Sequence, residues 1–568
     1  MKSKAIEKKQ FNPLLVYIFI FTPFLGALSQ HYQVFIVTII TSVVLFARWK
    51  YLDIRKIDLF VLIPVSLIVL FAFLSIFYGE SHGDALYGFF HVVTAVLFLV
   101  MLSTFTSNEK KEVLRIIPYV AAAMVVITAI AYIIPGLKEL MYANVRMGGP
   151  FGYPNTFALY ILIGLYIFLD SFFDSELKKH KITDYAIIII LLAGILFTGS
   201  RSIFFMSVFL LVYLLIVKKN SRIILIPIIG ILAVAVGVYV FITNDVNSVG
   251  RFLTTSLESS TFLGRLLYDA DALKMIVDRP YGYGYLGYYF LQHYYQTGVY
   301  SVRFVHNDWL QIALDFGVIA FLAFAWLYGL AIKRTNNTGR VILVLIGLHM
   351  LIDFDIQFFS VLMIMILCYN LDNKDYGKRG IKVDTNKPLF KGISMTLIAS
   401  TALICLWMGV ADFAQNHSSK DASLKIYPWA EDVKLHAMAD TDDLSLQQQY
   451  ANELVRAVPL LGQPYDVLSA QAMIDNDVEK AMDLKHSSVI YQKYNIKKYE
   501  EYAELLCDII DKYKNVDSDI YNKAKMRLDE IPVMLDELEK NTNPIALKIR
   551  DVPEFSMSET VENRMKNI

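Results

Sequence analysis

Apolar runs of about 20 residues, the length that crosses a hydrocarbon core, alternate with short polar breaks through the first 412 positions and then stop. The runs lie near 12–29, 32–48, 58–78, 84–103, 113–134, 155–173, 183–198, 202–217, 222–242, 306–332, 341–354, 357–371 and 391–412, which makes about thirteen spans. Two breaks are narrow, Thr198 to Arg201 and Asp353 to Gln357. Each is read as the tip of a helical hairpin, because fusing either pair into one helix would carry a basic loop to the wrong side. Beyond 412 the period becomes that of surface helices, expected near 441–457, 464–474, 477–486, 497–514 and 517–540, with Pro532 breaking the last. These short pairs suggest a tetratricopeptide-like array, although no clean period of about 34 residues runs through them. The pattern predicts an all-α fold. A polytopic transmembrane bundle of 12–13 spans over 1–412 includes an outer loop at 243–305; an extracytoplasmic helical domain over 413–541 and a loosely ordered tail over 542–568 follow.

Composition agrees, since 56% hydrophobic and 19% charged residues are too apolar a mixture for a soluble chain. The zero net charge hides an asymmetry that sets orientation. Lys2, Lys4, Lys8 and Lys9 precede the first run; Arg48, Lys50, Arg55 and Lys56, then Lys110 and Lys111, Lys178, Lys179 and Lys181, Lys218, Lys219 and Arg222, Lys333, Arg334 and Arg340, and Lys374 to Lys391 mark alternate breaks. The N-terminus is therefore expected in the cytoplasm, and 135–154, 198–201, 243–305 and everything after 412 outside. The first run reads as a retained span, because no small-residue cleavage pattern follows it. Cys368, Cys405 and Cys507 lack metal-ligand spacing, so no metal and no cofactor is expected; nor is a nucleic-acid partner.

The unusual polar residues fall on the expected outer side. In NVRMGGPFGYPNTFALY, glycines and prolines stop a helix, Asn155 or Thr156 can cap the next, and Arg146 adds charge to a helix start suited to phosphate; the plain alternative is a tight turn. Arg201 sits at a hairpin tip, where a guanidinium is costly unless paired, solvated or snorkelling. In the outer loop, Leu266, Leu267, Ala270, Leu273 and Val277 recur at helical spacing beside Asp269, Lys274 and Asp278, as in an amphipathic helix at the membrane surface, begun by Arg265. Eight tyrosines then crowd Tyr281 to Tyr300, as an aromatic belt or as stacking surfaces for sugars. His306 and Asn307 open the next span behind Arg251, Arg265, Arg279 and Arg303, with Gln311 and Asp315 one and two turns on. An imidazole, titrating near about 6.5 when unperturbed, suits a proton acceptor. His349, Asp353 and Asp355 approach another outer tip, where Asp353 and Asp355 are expected to face the same cavity as Arg201, or to form a polar turn.

Taken in order, GGPFGYPNTFALY, TGSR at Thr198–Arg201, GRLLYDADALKMIVDRPYGYGYLGYY, and the His306–Asn307 pair followed by nine residues and Gly317 resemble the O-antigen ligase and O-antigen polymerase family of bacterial envelope glycosyltransferases. Two positions depart from its ligase pattern: Ala320 three residues after that glycine, and Asp269 where Arg-x3-Leu would place leucine. The resemblance implies a metal-independent, inverting transfer of a glycan from undecaprenyl diphosphate to an acceptor hydroxyl outside the cytoplasmic membrane. His306 would be the base and Asn307 would orient the hydroxyl or the sugar, while Arg201 and Arg265, with Arg146, Arg303 and Gln311, would bind substrate in one cationic pocket. The partners implied are a lipid-linked oligosaccharide donor, a glycan or other hydroxyl acceptor, membrane lipid, and an envelope protein at the C-terminal domain, unless that domain is a passive cap. Polymerisation of repeat units is the first reading, ligation of a finished glycan to lipid, wall or protein the second. A transporter is the alternative of another class, which inverted repeats and charges at mid-span would favour.

Overall fold

The computed structural model describes residues 13–52, 57–174, 181–218, 221–222, 230, 260–369, 380–381, 384–385 and 387–568. Most of the expected span at 222–242, Arg251 and the basic residues Lys2, Lys4, Lys8, Lys9, Arg55, Lys56, Lys178, Lys179, Lys219 and Lys374 lie outside the described residues. Among those described, the helices are α1 (Leu14–Phe21), α2 (His31–Arg48), α3 (Leu59–Tyr78), α4 (His82–Leu102), α5 (Ser107–Ala131), α6 (Pro135–Met141), α7 (Pro154–Asp174), α8 (Ile182–Thr198), α9 (Arg201–Val217), α10 (Ser260–Asp278), α11 (Gly287–Tyr295), α12 (Asp308–Arg334), α13 (Asn337–His349), α14 (Phe359–Tyr369), α15 (Pro388–His417), α16 (Lys420–Ile426), α17 (Glu431–Asp440), α18 (Leu444–Ala457), α19 (Gln463–Ile474), α20 (Val478–Tyr491), α21 (Ile496–Tyr513), α22 (Ser518–Asn541) and α23 (Glu559–Lys566). Seven are long and apolar enough to cross a membrane, α2, α3, α4, α5, α7, α12 and α15; five shorter apolar helices begin at Leu14, Ile182, Arg201, Asn337 and Phe359. The chain is an all-α polytopic bundle.

Contacts divide the chain into two units. The first takes Met1–Ser66, His91–Ser256 and Ala323–Gly409. Its axis is α7, buried around its circumference and crossed by α5, α8, α9 and α13. Small residues let the helices approach: a Cβ at Gly164 would lie 3.0 Å from that of Ala121, and one at Gly194 2.6 Å from a Val125 methyl. Along α15, by contrast, Ile393, Leu397, Leu403 and Leu406 are exposed, as lipid-facing residues would be. Both narrow breaks are real turns. Gly199, at φ +60°, ends α8, and Ser200 in extended backbone starts α9. Residues 350–358 separate α13 from α14.

The second unit takes Leu67–Phe90, Leu257–Leu322 and Val410–Ile568. Helices α17 to α22 each pack on their chain neighbours, and pairs begin at Glu431, Gln463 and Ile496. Two expectations are corrected. Pro532 does not break α22: Ala524, Leu528, Ile531, Leu535 and Leu538 form one buried stripe against α21, and that burial outweighs the lost N–H bond of about 3 kcal/mol. Nor are residues 542–568 loose. Asn543 donates to Thr297 O (3.0 Å), Ala546 is buried against Gly298, and Met557 and Val561 enter the core of α20–α22, contacts too sparse to show as periodicity.

Candidate functional site

In the second unit the site is built on an interruption of α12. Gly317 adopts φ +85°, which leaves Leu314 and Asp315 carbonyls without helical partners. The DRPYGYG run supplies them. Tyr283 N donates to Leu314 O (2.7 Å), Gly284 N to Asp315 O (3.1 Å), and Val318 N returns to Pro280 O (2.8 Å). The backbones pass so closely that a Cβ on Gly317 would sit 2.7 Å from Tyr281 O. Arg279, paired with Glu80 at 2.5 Å, and Glu80 N, donating to Tyr283 O (2.8 Å), tie the end of α3 into the same knot. Four of the eight tyrosines, Tyr283, Tyr285, Tyr288 and Tyr300, are buried in this scaffold; the belt or sugar-stacking role does not apply to them.

The knot fixes the segment 308–316, and its N-terminal side organises the loop before it. Asn307 caps the helix, its Oδ1 accepting from Leu310 N (3.3 Å). Gln311 is buried, its amide donating to Asp315 Oδ1 (2.8 Å) and its Oε1 accepting from Val305 N (2.9 Å). Gln292 Oε1 accepts from Val302 N (2.8 Å), and Arg303 grips Asp432 through both Nη atoms (2.8 and 3.3 Å). The loop is thus pinned at Val302, Arg303, Val305 and Asn307. Two expected substrate-binding residues, Gln311 and Arg303, hold the loop that carries His306.

The half-buried His306 ring faces α10, its centroid 6.0 Å from that of Tyr268. That helix also presents Arg265 and, one turn on, Asp269. The Asn307 side chain bonds the Asp269 carboxylate, and the charges of His306 and Arg265 act on it. Burial, the largest influence, raises this carboxyl to about 6; the bond from Asn307 and those two charges pull it down. So Arg265, His306 and Asn307 come together around Asp269, an acid read from the sequence as part of an amphipathic face and as a departure from the ligase pattern. Its i+4 spacing from Arg265 was the available signal. Away from this site, Leu266, Ala270, Leu273 and Val277 form an exposed apolar stripe, suited to a membrane surface. Asp271, next to the site, takes Thr297 N (2.9 Å), Thr297 Oγ1 (2.8 Å) and Tyr300 Oη (2.9 Å), and so holds the chain that leads to the His306 loop.

Arg146 and Arg201 belong to the first unit. Arg146 Nε donates to Thr198 O (2.8 Å) and Nη2 to Asn155 Oδ1 (2.6 Å), bracing the hairpin tip. Asn155 and Thr156 are not caps, because α7 already begins at Pro154. Asn155 donates to Asp353 Oδ2 (2.8 Å), Tyr153 Oη to Asp353 Oδ1 (2.8 Å), and Thr156 Oγ1 to Asp355 Oδ1 (2.8 Å). Asp355 Oδ2 takes His349 Nδ1 (2.6 Å), so that Nε2 accepts from Ser202 Oγ (3.2 Å), the neighbour of Arg201. His349, Asp353 and Asp355 thus reach the tip that carries Arg201.

A family model described as O-Antigen ligase matches residues 186–325, and no curated protein matches the chain. The matched stretch holds Arg201, Arg265, Arg303, His306, Asn307 and Gln311; Arg146 precedes it. The chain thus combines a stretch similar to an O-antigen ligase domain, over 186–325, with helices long and apolar enough to cross a membrane.

Proposed function

We propose that the protein joins undecaprenyl-diphosphate-linked oligosaccharides into a surface polysaccharide at the outer face of the cytoplasmic membrane, by metal-independent, inverting transfer. The observation that carries this reading is His306, pinned by its loop beside Arg265 and Asp269 within the O-antigen ligase segment. His306 takes the proton of the acceptor hydroxyl; the oxygen attacks the anomeric carbon opposite its bond to the diphosphate, and that bond breaks with its electron pair on phosphate. Arg265 stabilises the charge that develops there, as a fixed guanidinium can without moving a proton. Arg303 and Gln311 stand behind these residues, since their bonds hold the His306 loop.

The test uses the full chain in lipid nanodiscs with a synthetic undecaprenyl-diphosphate oligosaccharide. A ladder growing by whole repeats is the expected product. Single transfer to a distinct acceptor would instead make the protein a ligase, and movement of intact donor between leaflets without transfer would make it a transporter.

A further inference from the structure

Asp269 stands where the ligase pattern would place leucine, yet it sits among the groups of the site. Asn307 bonds the carboxylate, but Oδ1 is shut from solvent and, among the described residues, no hydrogen bond reaches it. Buried acceptors are nearly always satisfied, so an orphaned carboxylate oxygen among the groups of the site is open to a partner that arrives during turnover. Among the described residues, the charged and titratable groups that act on it are Arg265 on its own helix, Tyr288 on α11 and His306 from the loop before α12; the neighbouring Tyr268 ring lies 6.0 Å from the imidazole. Of these, only His306 gains charge in the proposed reaction.

We propose that Asp269 is a positioning residue for His306: its ionised carboxylate stabilises the imidazolium that forms when the ring takes the acceptor's proton, and its bond to Asn307 keeps the ring and the amide in register. This rests on His306 acting as the base. The proton leaves the acceptor oxygen, which keeps the electron pair for the new bond to the anomeric carbon. The imidazolium N–H then finds the lone pair on Oδ1, and the ring returns its proton to water after the diphosphate has departed. A leucine could not do this.

The carboxyl's raised proton affinity fixes the sign of a stability effect. Its folded value of about 6 lies above the unfolded one, so its contribution to stability is fully present below the unfolded range and is lost as pH rises through about 6. At neutral pH the ionised group burdens the fold, a burden that function would explain.

Asp269→Asn, Asp269→Leu and Asp269→Glu in the full chain test the idea by turnover, by thermal unfolding against pH, and by NMR of the His306 ring. Asp269→Asn is expected to lower kcat about 30-fold with donor KM nearly unchanged. It should also move the acid limb of the pH profile and the protonation of the His306 ring to lower pH, and raise the unfolding temperature above pH 6. Asp269→Glu should recover part of the rate; Asp269→Leu should not. An unmoved ring titration overturns the proposal, as does lower stability at every pH with an unshifted limb, which would mark a merely structural acid. A shifted ring in a protein whose His306→Ala variant is fully active upholds the pairing and overturns the base.

Discussion

Each unit of this protein holds a cluster of aspartate, histidine and arginine, and the two are finished differently. In the first, both oxygens of Asp353, both oxygens of Asp355 and both ring nitrogens of His349 have partners, and the three side chains are inaccessible to solvent. In the second, His306 is half exposed and Asp269 keeps an oxygen that no described residue satisfies. A closed network rigidifies, because every lone pair is used and any disturbance leaves a buried polar group stranded. An open one is held in place by its surroundings and keeps capacity for a substrate or a proton. The same residue types therefore point to structure in one place and to chemistry in the other.

Exchanging each histidine for alanine should produce the largest separation. His306→Ala is expected to lower turnover by about a thousandfold or more while donor binding and unfolding stay near wild type. His349→Ala strands the Asp355 carboxylate and should cost about 3 kcal/mol of stability, read by denaturant titration in micelles. A His349 variant of normal stability, or a His306 variant that is active but unstable, would erase the distinction.

The backbone knot behind the open cluster should be nearly as sensitive. At Gly317 an added methyl meets Tyr281 backbone at 2.7 Å and the residue holds φ +85°, so neither a rotamer change nor a helical backbone relieves Gly317→Ala. The expected loss is about 2 kcal/mol in stability, with a fall in kcat because 308–316 and the His306 loop shift together. Gly329, with no described atom within 4 Å of an added Cβ, is the control: Gly329→Ala should be silent. If both substitutions are silent, the interruption of α12 does not hold the site.

Much of this was legible along the chain, for identifiable reasons. Span ends follow from apolar length, and the hairpin at Gly199 from a glycine that ends one helix just before Arg201 starts the next. The spacing from His306 to Gly317 was visible as a motif, and its cause is a helix that must break for the PYGYG backbone to enter. Asp269 was legible only through its i+4 spacing from Arg265, because nothing in its own helix shows that Asn307 and His306 arrive opposite it. Asn155 and Thr156 looked like caps; their partners, Asp353 and Asp355, come from a hairpin far along the chain. The tyrosines misled because local composition cannot tell a membrane belt from a core built around glycine turns.

The smallest expected effect concerns Arg303, where the two readings of an arginine near a site diverge. Its fork holds Asp432 through two hydrogen bonds, and its side chain is 40% exposed. A half-exposed ion pair is worth little, so Arg303→Lys, which keeps the charge and loses the fork, should cost less than about 1 kcal/mol in stability and leave donor KM within about twofold. Asp432→Asn should behave alike, and the two changes together should add less than their sum, since each removes the same pair. Were Arg303 a donor contact, the lysine variant would raise donor KM about tenfold, and Asp432→Asn, by releasing the guanidinium, would lower it. Opposite shifts in KM from the two ends of one ion pair would move Arg303 from the frame of the open cluster into the cluster itself.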